Sequence, residues 1–304
     1  MEKDGRDGRD TDWAFRAYEA VRARLPQFSA TRTPVAVGGL GDLAPRFDVF
    51  LLDAFGVLNI GARVIAGAPA AVADLQARGK RVMVLTNGAT YPAEVALAKY
   101  RALGFAFAPE DVVASRDALG QGLAAEMAGL WGVMAPEDAA LQRLPCAARR
   151  LGHVRAAYDE VCGFILLSTA DWDAARQDML CASLAATPRP VLVGNPDLVA
   201  PREDGLSLEP GYFAHDLARR TGIRPRFFGK PFANIYDLAF ARLKGVDPAR
   251  VLMVGDTLHT DILGGAAYGV KTALVTGHGV FKGRDYAPYA RAAGLWPDYV
   301  MDSP

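Results

Sequence analysis

Short apolar runs without polar alternation recur along the chain and end at polar or glycine residues. Helical patterns, such as those of residues 68–78 and 233–243, lie between them. A run without alternation is typical of a parallel strand buried on both faces. The repeated strand–loop–helix order therefore predicts an α/β fold with a doubly wound parallel sheet. The runs that matter most here cover residues 49–52, 82–85 and 251–254.

The middle of the chain has a looser rhythm, which predicts a second, smaller α/β domain inserted into the first. Its apolar runs include residues 163–167 and 191–194. Before the core, residues 14–25 have the spacing of an amphipathic helix that ends near Pro26. We expect residues 1 to about 10 to be a disordered tail. The predicted division is an N-terminal tail and helix over 1–46, a core over 47–112 and 226–304, and an inserted cap over 113–225.

Composition and charge exclude several classes of function. Lys+Arg and Asp+Glu both number 34, so the net charge is zero and no basic surface favours nucleic acid as a partner. No stretch reaches the ~18 uninterrupted apolar residues of a membrane helix, and the N-terminus lacks the apolar segment of a secretory signal. The three cysteines show no CxxC spacing, which favours free thiols in a reducing compartment. These features predict a cytoplasmic protein, and they leave a homodimer open.

Four predicted strand ends carry polar side chains suited to a phosphate site. Ligands of open parallel sheets bind beyond the carboxyl ends of the strands. Taken singly, each residue has an ordinary explanation as a turn, a helix cap or a solvated surface group. Together they supply carboxylates, a hydroxyl and an ammonium, which suit a phosphorylated small molecule held with Mg²⁺. The residues are Asp53, Thr86, Lys230 and Asp256, with Asp261 at the entry to the next helix.

The ordered set of motifs resembles the haloacid dehalogenase (HAD) superfamily. The segments are LLDAFGVL at 51–58, VLTNG at 84–88, GKP at 229–231 and VGDTLHTDI at 254–262. The wide gap between the second and third resembles class IIA members, in which a cap domain is inserted there. Those relatives include pyridoxal-phosphate, nitrophenyl-phosphate and predicted sugar phosphatases. The NPD segment at 195–197 is similar to a segment of their caps.

The resemblance implies a Mg²⁺-dependent phosphatase that acts on a small phosphorylated metabolite. Asp53 would be the nucleophile that forms an aspartyl-phosphate, and Lys230 would neutralise charge on it and on the phosphoryl group. Thr86, Asn87 and Gly88 would hold phosphoryl oxygens. The implied metal ligands are Asp53, the backbone carbonyl of Phe55, Asp256 and Asp261, and the implied substrate contacts of the cap are Asn195 and Asp197.

Phe55 departs from the family pattern, because the first motif of HAD phosphatases normally has a second Asp there. That Asp protonates the leaving oxygen and later activates water, which is worth ~10²–10⁴-fold in rate. His259 and Asp197 are candidates to replace it, or the enzyme acts slowly or on esters with good leaving groups. The alternatives are a non-catalytic phospho-ligand binding protein and, less favoured, a related activity such as C–P or C–halogen cleavage. The retained Asp53, Lys230 and Asp256 favour a phosphatase.

Overall fold

The central sheet has seven strands, and all its neighbouring strands run parallel. The computed structural model describes residues 9–123, 128–203 and 205–304. After Val49–Leu52 the next strands are added toward one edge of the sheet, and the later strands, from Val251–Gly255 onward, are added toward the other edge. The direction of strand addition therefore reverses between Val49–Leu52 and Val251–Gly255. Such a reversal leaves a crevice at the carboxyl ends of the two strands. In spatial order the strands are Val35–Ala36, Tyr299–Met301, Lys271–Val275, Val251–Gly255, Val49–Leu52, Arg81–Thr86 and Val112–Ala114.

Helices cover both faces of this sheet because its central strands are apolar on both sides. Phe50 and Leu52 pack into one buried cluster, whereas Val49 and Leu51 pack into another. The first cluster includes residues of helices Leu40–Leu43, Ala68–Ala77 and Ala93–Ala102, and the second includes residues of Ser115–Leu123 and Ala233–Leu243. The predicted doubly wound α/β architecture is confirmed.

A second parallel sheet, of five strands, lies in the middle of the chain. Its strand order is Arg226–Phe227, Val191–Val193, Gly163–Leu166, Leu130–Met134 and Ala147–Arg150. Helices Ala156–Asp159, Ala174–Ala186 and Pro210–Thr221 pack against it. An antiparallel hairpin of Val199–Arg202 and Gly205–Leu208 also belongs to this unit.

The edges of the inserted unit differ from the sequence pattern at both ends. Val112–Ala114 belongs to the seven-stranded sheet, and helix Ser115–Leu123 contacts Ala233–Leu243 of the core. The predicted second segment of the core begins at residue 226, but residues 226–227 pair with Leu192 and Val193 in the five-stranded sheet. A two-residue strand has no periodicity of its own, so its partner decides its place. The predicted 113–225 division stays a prediction, and the sheets favour edges near 128 and 228.

The N-terminal helix Thr11–Val21 packs against both the core and the inserted unit. Asp10 caps it by accepting a hydrogen bond from the Trp13 backbone N–H, and a 3₁₀ turn at Arg22–Arg24 follows. Its residues Ala14 and Tyr18 are buried in a cluster that contains residues of both units. The predicted helix is confirmed, and most of the predicted disordered tail, residues 1–8, lies outside the described residues. Val35–Ala36, within the predicted N-terminal segment 1–46, is an edge strand of the core sheet.

The remaining elements are short and complete the connections between the strands. No helix among the described ranges is long and apolar enough to cross a membrane. The three cysteines are free, as expected. These short elements are the hairpin Asn59–Ile60 and Arg63–Val64, helices Leu263–Tyr268 and Ala287–Ala293, the π-helical turn Leu258–Ile262, and 3₁₀ turns at Pro109–Asp111, Leu141–Arg143, Pro248–Arg250 and Gly279–Phe281.

Candidate active site

Three carboxylates meet at the point where the strand order reverses. Asp53 and Asp256 follow adjacent parallel strands, and the Asp53 backbone N–H donates to the Val254 carbonyl at 2.8 Å. Asp261 reaches the same place from the π-helical turn Leu258–Ile262. One potential ligand atom from each of the three carboxylates lies within 4.8 Å of the others. The predicted convergence of these three residues is therefore present in the structure.

Lys230 sits among these carboxylates with a side chain that is 1% exposed. Its Nζ lies 2.6 Å from Asp53 Oδ1 and 2.7 Å from Asp261 Oδ1. Its backbone is held by the Asn87 side chain, which accepts from the Lys230 N–H at 2.7 Å and donates to the Lys230 carbonyl at 2.8 Å. The loops after two separate strands are thereby joined, and the ammonium is fixed beside Asp53.

Thr86, Asn87 and Gly88 line the same cavity as Asp53. Thr86 and Asn87 are buried, and the Thr86 Oγ1 accepts a hydrogen bond from the Gly88 backbone N–H at 3.1 Å. The Gly88 N–H therefore has a partner already, and it would have to leave Thr86 in order to donate to a phosphoryl oxygen. The three residues lie where a phosphate-binding loop is expected, after the strand next to Asp53.

The pKa values of the ionisable groups around Lys230 are strongly shifted. Burial raises the pKa of Asp53 to about 6, and the nearby carboxylate of Asp261 adds to the rise while Lys230 opposes it. Burial and the charges of Asp261 and Asp53 also raise the pKa of Asp256 well above its usual value. For Lys230, burial alone would lower the pKa, but Asp261 and Asp53 outweigh it and raise it. One ammonium thus balances three carboxylates incompletely.

This donor set fits a hard divalent cation. Such ions prefer oxygen ligands, and the three carboxylates offer them within a small, buried volume. A bound cation would also offset the repulsion that raises the pKa values of Asp53 and Asp256. Asp256 is held in place by the Thr257 hydroxyl at 3.0 Å and the Val280 N–H at 2.9 Å. We therefore regard the Asp53, Asp256 and Asp261 group as a candidate metal site.

Gly56 and Gly279 allow the backbone to pass close to Asp256. Both have positive φ, at 80° and 70°. A Cβ on Gly56 would lie 2.5 Å from Asp256 atoms, and one on Gly279 would lie 1.8 Å from Asp256 Oδ2. Any larger residue would push the carboxylate out of the cluster, so both positions require glycine.

A cavity of about 340 Å³ extends from these residues to the inserted unit. Asn195 and Asp197 line it from the inserted side. The Asp197 Oδ1 accepts a hydrogen bond from Asn87 Nδ2 at 2.8 Å, and the Asp197 backbone N–H donates to Asn195 Oδ1 at 3.0 Å. Asn195 also donates to Glu209 at 3.1 Å. The NPD segment at 195–197 therefore presents Asp197 to the cavity, while the Asn195 side chain mainly holds that segment in place.

Comparisons with known proteins agree with this geometry. A family description, haloacid dehalogenase-like hydrolase, matches residues 50–142, and a second, HAD-hydrolase-like, matches residues 227–303. The chain is 32% identical over 280 residues to the glycerol-3-phosphate phosphatase of Gallus gallus, covering 84% of this chain and 89% of that protein.

The chain belongs to the haloacid dehalogenase-like hydrolases.

Solved structures of the HAD superfamily share the fold. A possible sugar phosphatase from Cytophaga hutchinsonii superposes with a TM-score of 0.79 at 24% identity, covering 88% of this chain and 98% of that one. A glycerol phosphate phosphatase from Mycobacterium tuberculosis, in complex with magnesium, gives 0.67 at 26% identity, covering 86% of this chain and 77% of that one. The predicted membership of a HAD phosphatase-like family is confirmed, and the chain is a hydrolase of this type.

His259, a candidate replacement for the missing acid of this HAD hydrolase, points away from the cavity. Its Nε2 lies 2.6 Å from Glu19 Oε1, and its ring stacks on Tyr18 with centroids 5.0 Å apart. The π-helical turn is the physical reason, because it directs Asp261 inward and His259 toward the N-terminal helix. Burial lowers the pKa of this imidazole, although the Glu19 carboxylate opposes the shift. The contacts of His259 therefore do not support it as the replacement acid, and Asp197 is the candidate that lines the cavity.

Sequence patterns missed two cations that line the cavity, Lys99 and Arg202. Both lie against the Phe55 ring, with Lys99 Nζ 4.8 Å and Arg202 Cζ 4.9 Å from its centroid. Lys99 belongs to helix Ala93–Ala102 and Arg202 to the hairpin strand Val199–Arg202. Charged residues on a helix and a hairpin are usually solvated, so the sequence offered no reason to place these two at the site. The unusual Phe55, which both of them contact, was the one residue that could have pointed to them.

Proposed function

We propose that this chain is a Mg²⁺-dependent phosphomonoesterase that acts on a small phosphorylated metabolite through an aspartyl-phosphate on Asp53. The observation that carries the proposal is the contact of the buried Lys230 ammonium with Asp53 and Asp261, in the corner where Asp256 also lies. Phosphoryl transfer depends mainly on positioning and charge neutralisation, and this arrangement offers both. Family membership supports the same reaction class.

The substrate class follows from the relatives and from the cavity. The Gallus gallus relative is named for glycerol-3-phosphate, and the Mycobacterium tuberculosis structure for glycerol phosphate. A cavity of about 340 Å³ has room for a small phosphate ester of the sugar or glycerol type. We therefore extend the proposal to substrates of that size.

The proposed first step uses Asp53 as the nucleophile. A carboxylate oxygen of Asp53 attacks phosphorus, the bond to the leaving oxygen breaks, and Lys230 balances the negative charge that crowds the corner. Thr86 and the N–H groups of Asn87 and Gly88 would hold the phosphoryl oxygens. Asp53, Asp256 and Asp261, with the Phe55 carbonyl, would hold Mg²⁺, which when bound neutralises charge on the phosphoryl group.

Asp197 is our proposal for the acid and base that Phe55 cannot supply. It lines the cavity that contains Asp53, and its carboxyl is oriented by Asn87 at 2.8 Å. Burial raises its pKa well above the usual value, and Asp53 adds to the rise while Lys230 opposes it. A protonated Asp197 would give its proton to the leaving oxygen. It would then accept a proton from the water that attacks phosphorus and breaks the bond to Asp53.

The proposal is tested by phosphate release from a panel of phosphomonoesters with Mg²⁺. Wild-type protein should hydrolyse at least one of them, and Asp53→Asn should abolish the release because the amide cannot attack phosphorus. Asp74→Asn, which alters an exposed carboxylate paired with Arg78, is the matched control and should keep the activity. Release that persists at the wild-type rate in Asp53→Asn would refute the mechanism. Binding without any turnover would favour the alternative, a non-catalytic phospho-ligand binding protein.

A further inference from the structure

Phe55 brings together two cations from different parts of the fold. Lys99 Nζ and Arg202 Cζ both lie within 5 Å of its ring centroid, at 4.8 Å and 4.9 Å. Lys99 comes from the core and Arg202 from the hairpin of the inserted unit. A cation close to an aromatic face is attracted by the ring quadrupole. The ring therefore holds both side chains without neutralising either charge, which a carboxylate at position 55 would do.

The positive charge at this place is not fully balanced by protein carboxylates. Arg202 pairs with the buried Glu209 at 2.8 Å. Lys99 Nζ contacts the Gly61 carbonyl at 3.4 Å, and no carboxylate of the described ranges lies within 4 Å of it. Glu203 attracts Lys99 at longer range, but it is exposed and accepts from the Ala62 N–H. Burial, and next the charge of Arg202, lower the pKa of Lys99, as expected for a cation that lacks a close counterion.

Both cations line the cavity that also contains Asp53 and Thr86. Asp53, Asp256 and Thr86 line the part where the phosphoryl group is proposed to bind, and Lys230 contacts Asp53 there. Lys99 and Arg202 are further cations, which the phosphoryl group does not need if Lys230 and Mg²⁺ balance its charge. A molecule that fills the cavity would therefore meet positive charge beyond that of Lys230.

We propose that Lys99 and Arg202, held against Phe55, bind a second anionic group of the substrate. The preferred substrates are then phosphomonoesters that also carry a carboxylate or a second phosphate. This inference rests on the proposed phosphomonoesterase function. It gives position 55 a role in substrate selection, because an aromatic ring leaves Lys99 without a close carboxylate and positions Arg202, paired with Glu209, beside it.

The kinetic test uses 3-phosphoglycerate and glycerol 3-phosphate, which differ by a carboxylate in place of a hydroxymethyl group. We expect wild-type kcat/KM to favour 3-phosphoglycerate by about tenfold or more, since a charge-assisted contact contributes that much. Lys99→Met should reduce this preference about tenfold, mainly through KM, and Lys99→Arg should retain most of it. Lys282→Met, at an exposed lysine outside the cavity, is the matched control and should leave the preference unchanged.

A binding test separates this inference from the proposed function. Calorimetric titration of Asp53→Asn protein with each compound, in the presence of Mg²⁺, measures affinity without turnover. We expect the same preference for 3-phosphoglycerate and its loss in Asp53→Asn combined with Lys99→Met. Equal affinities for the two compounds, or equal losses for both on Lys99→Met, would overturn the second-anion site. Tight selective binding with no hydrolysis by wild type would instead refute the proposed function and support the site.

Discussion

Removing divalent metal should make the stability of this protein depend on the ionisation of Asp53. Burial raises the pKa of this carboxyl from 3.8 to about 6. A group with a raised pKa in the folded state contributes stability that is fully present below pH 3.8. That contribution is lost as the pH rises through about 6. Wild-type protein in EDTA should therefore lose stability across this window relative to a variant without the charge.

The size of the effect follows from the shift. A change from 3.8 to about 6 corresponds to roughly 3 kcal/mol, at 1.36 kcal/mol per pKa unit. In Asp53→Asn protein this pH-dependent contribution is absent. The substitution also removes the repulsion between Asp53 and Asp256, which further stabilises the variant relative to wild type at higher pH. For a chain of 304 residues, we expect the Tm difference between the two proteins to change by about 5 °C between pH 4 and pH 7.

Differential scanning calorimetry of wild type and Asp53→Asn, in EDTA at several pH values between 4 and 7.5, is the appropriate assay. The Tm of the variant should rise relative to wild type as the pH increases, and comparison of the two proteins cancels the other titrating groups. Added Mg²⁺ should stabilise wild type increasingly with pH, because a cation binds ionised carboxylates. A Tm difference that stays constant with pH, or one that moves in favour of wild type, would refute the reasoning about this site.

Three further predictions concern single residues. Asp197→Asn should slow hydrolysis of an alkyl phosphate about 10²-fold but that of p-nitrophenyl phosphate much less, because the nitrophenolate leaves without a proton; equal losses for both esters, measured by steady-state kinetics, would contradict its role as the acid. Phe55→Asp should raise alkyl phosphate turnover less than about tenfold, since Lys99 and Arg202 would keep the new carboxyl ionised; a gain near 10³-fold would show that position 55 alone limits the rate. His259→Ala should lower unfolding free energy by about 1–3 kcal/mol through its lost contacts with the N-terminal helix, as measured by urea denaturation, and retention of full stability would contradict those contacts.

The convergence of the site residues was predictable from the sequence because parallel strands end at the same edge of a sheet. Asp53 follows four apolar residues directly, and Asp256 follows four apolar residues and one glycine. The two strands are neighbours in the sheet, so their ends lie side by side. Lys230 has no such strand before it in the core, since Arg226–Phe227 belongs to the inserted sheet. Its position depended on the order of the motifs, and in the structure the Asn87 side chain holds it there.

Contacts between the two units were beyond sequence patterns. Lys99 and Arg202 meet only because the hairpin Val199–Arg202 lies over the helix Ala93–Ala102 at the Phe55 ring. His259 and Asp261 are two residues apart, and the π-helical turn, which the apolar spacing did not indicate, decides which of them faces the carboxylates. Residue type thus identified the chemistry at the strand ends, whereas the packing of the inserted unit determined the rest of the cavity.

The most direct test of the account is the detection of a phosphoryl group on Asp53. Protein quenched in acid during turnover with Mg²⁺ and a hydrolysed ester should yield a phosphorylated peptide containing Asp53 by mass spectrometry, and Asp53→Asn protein should yield none. Phosphate release without any such adduct, continuing undiminished in Asp53→Asn, would contradict the assignment of Asp53 as the nucleophile.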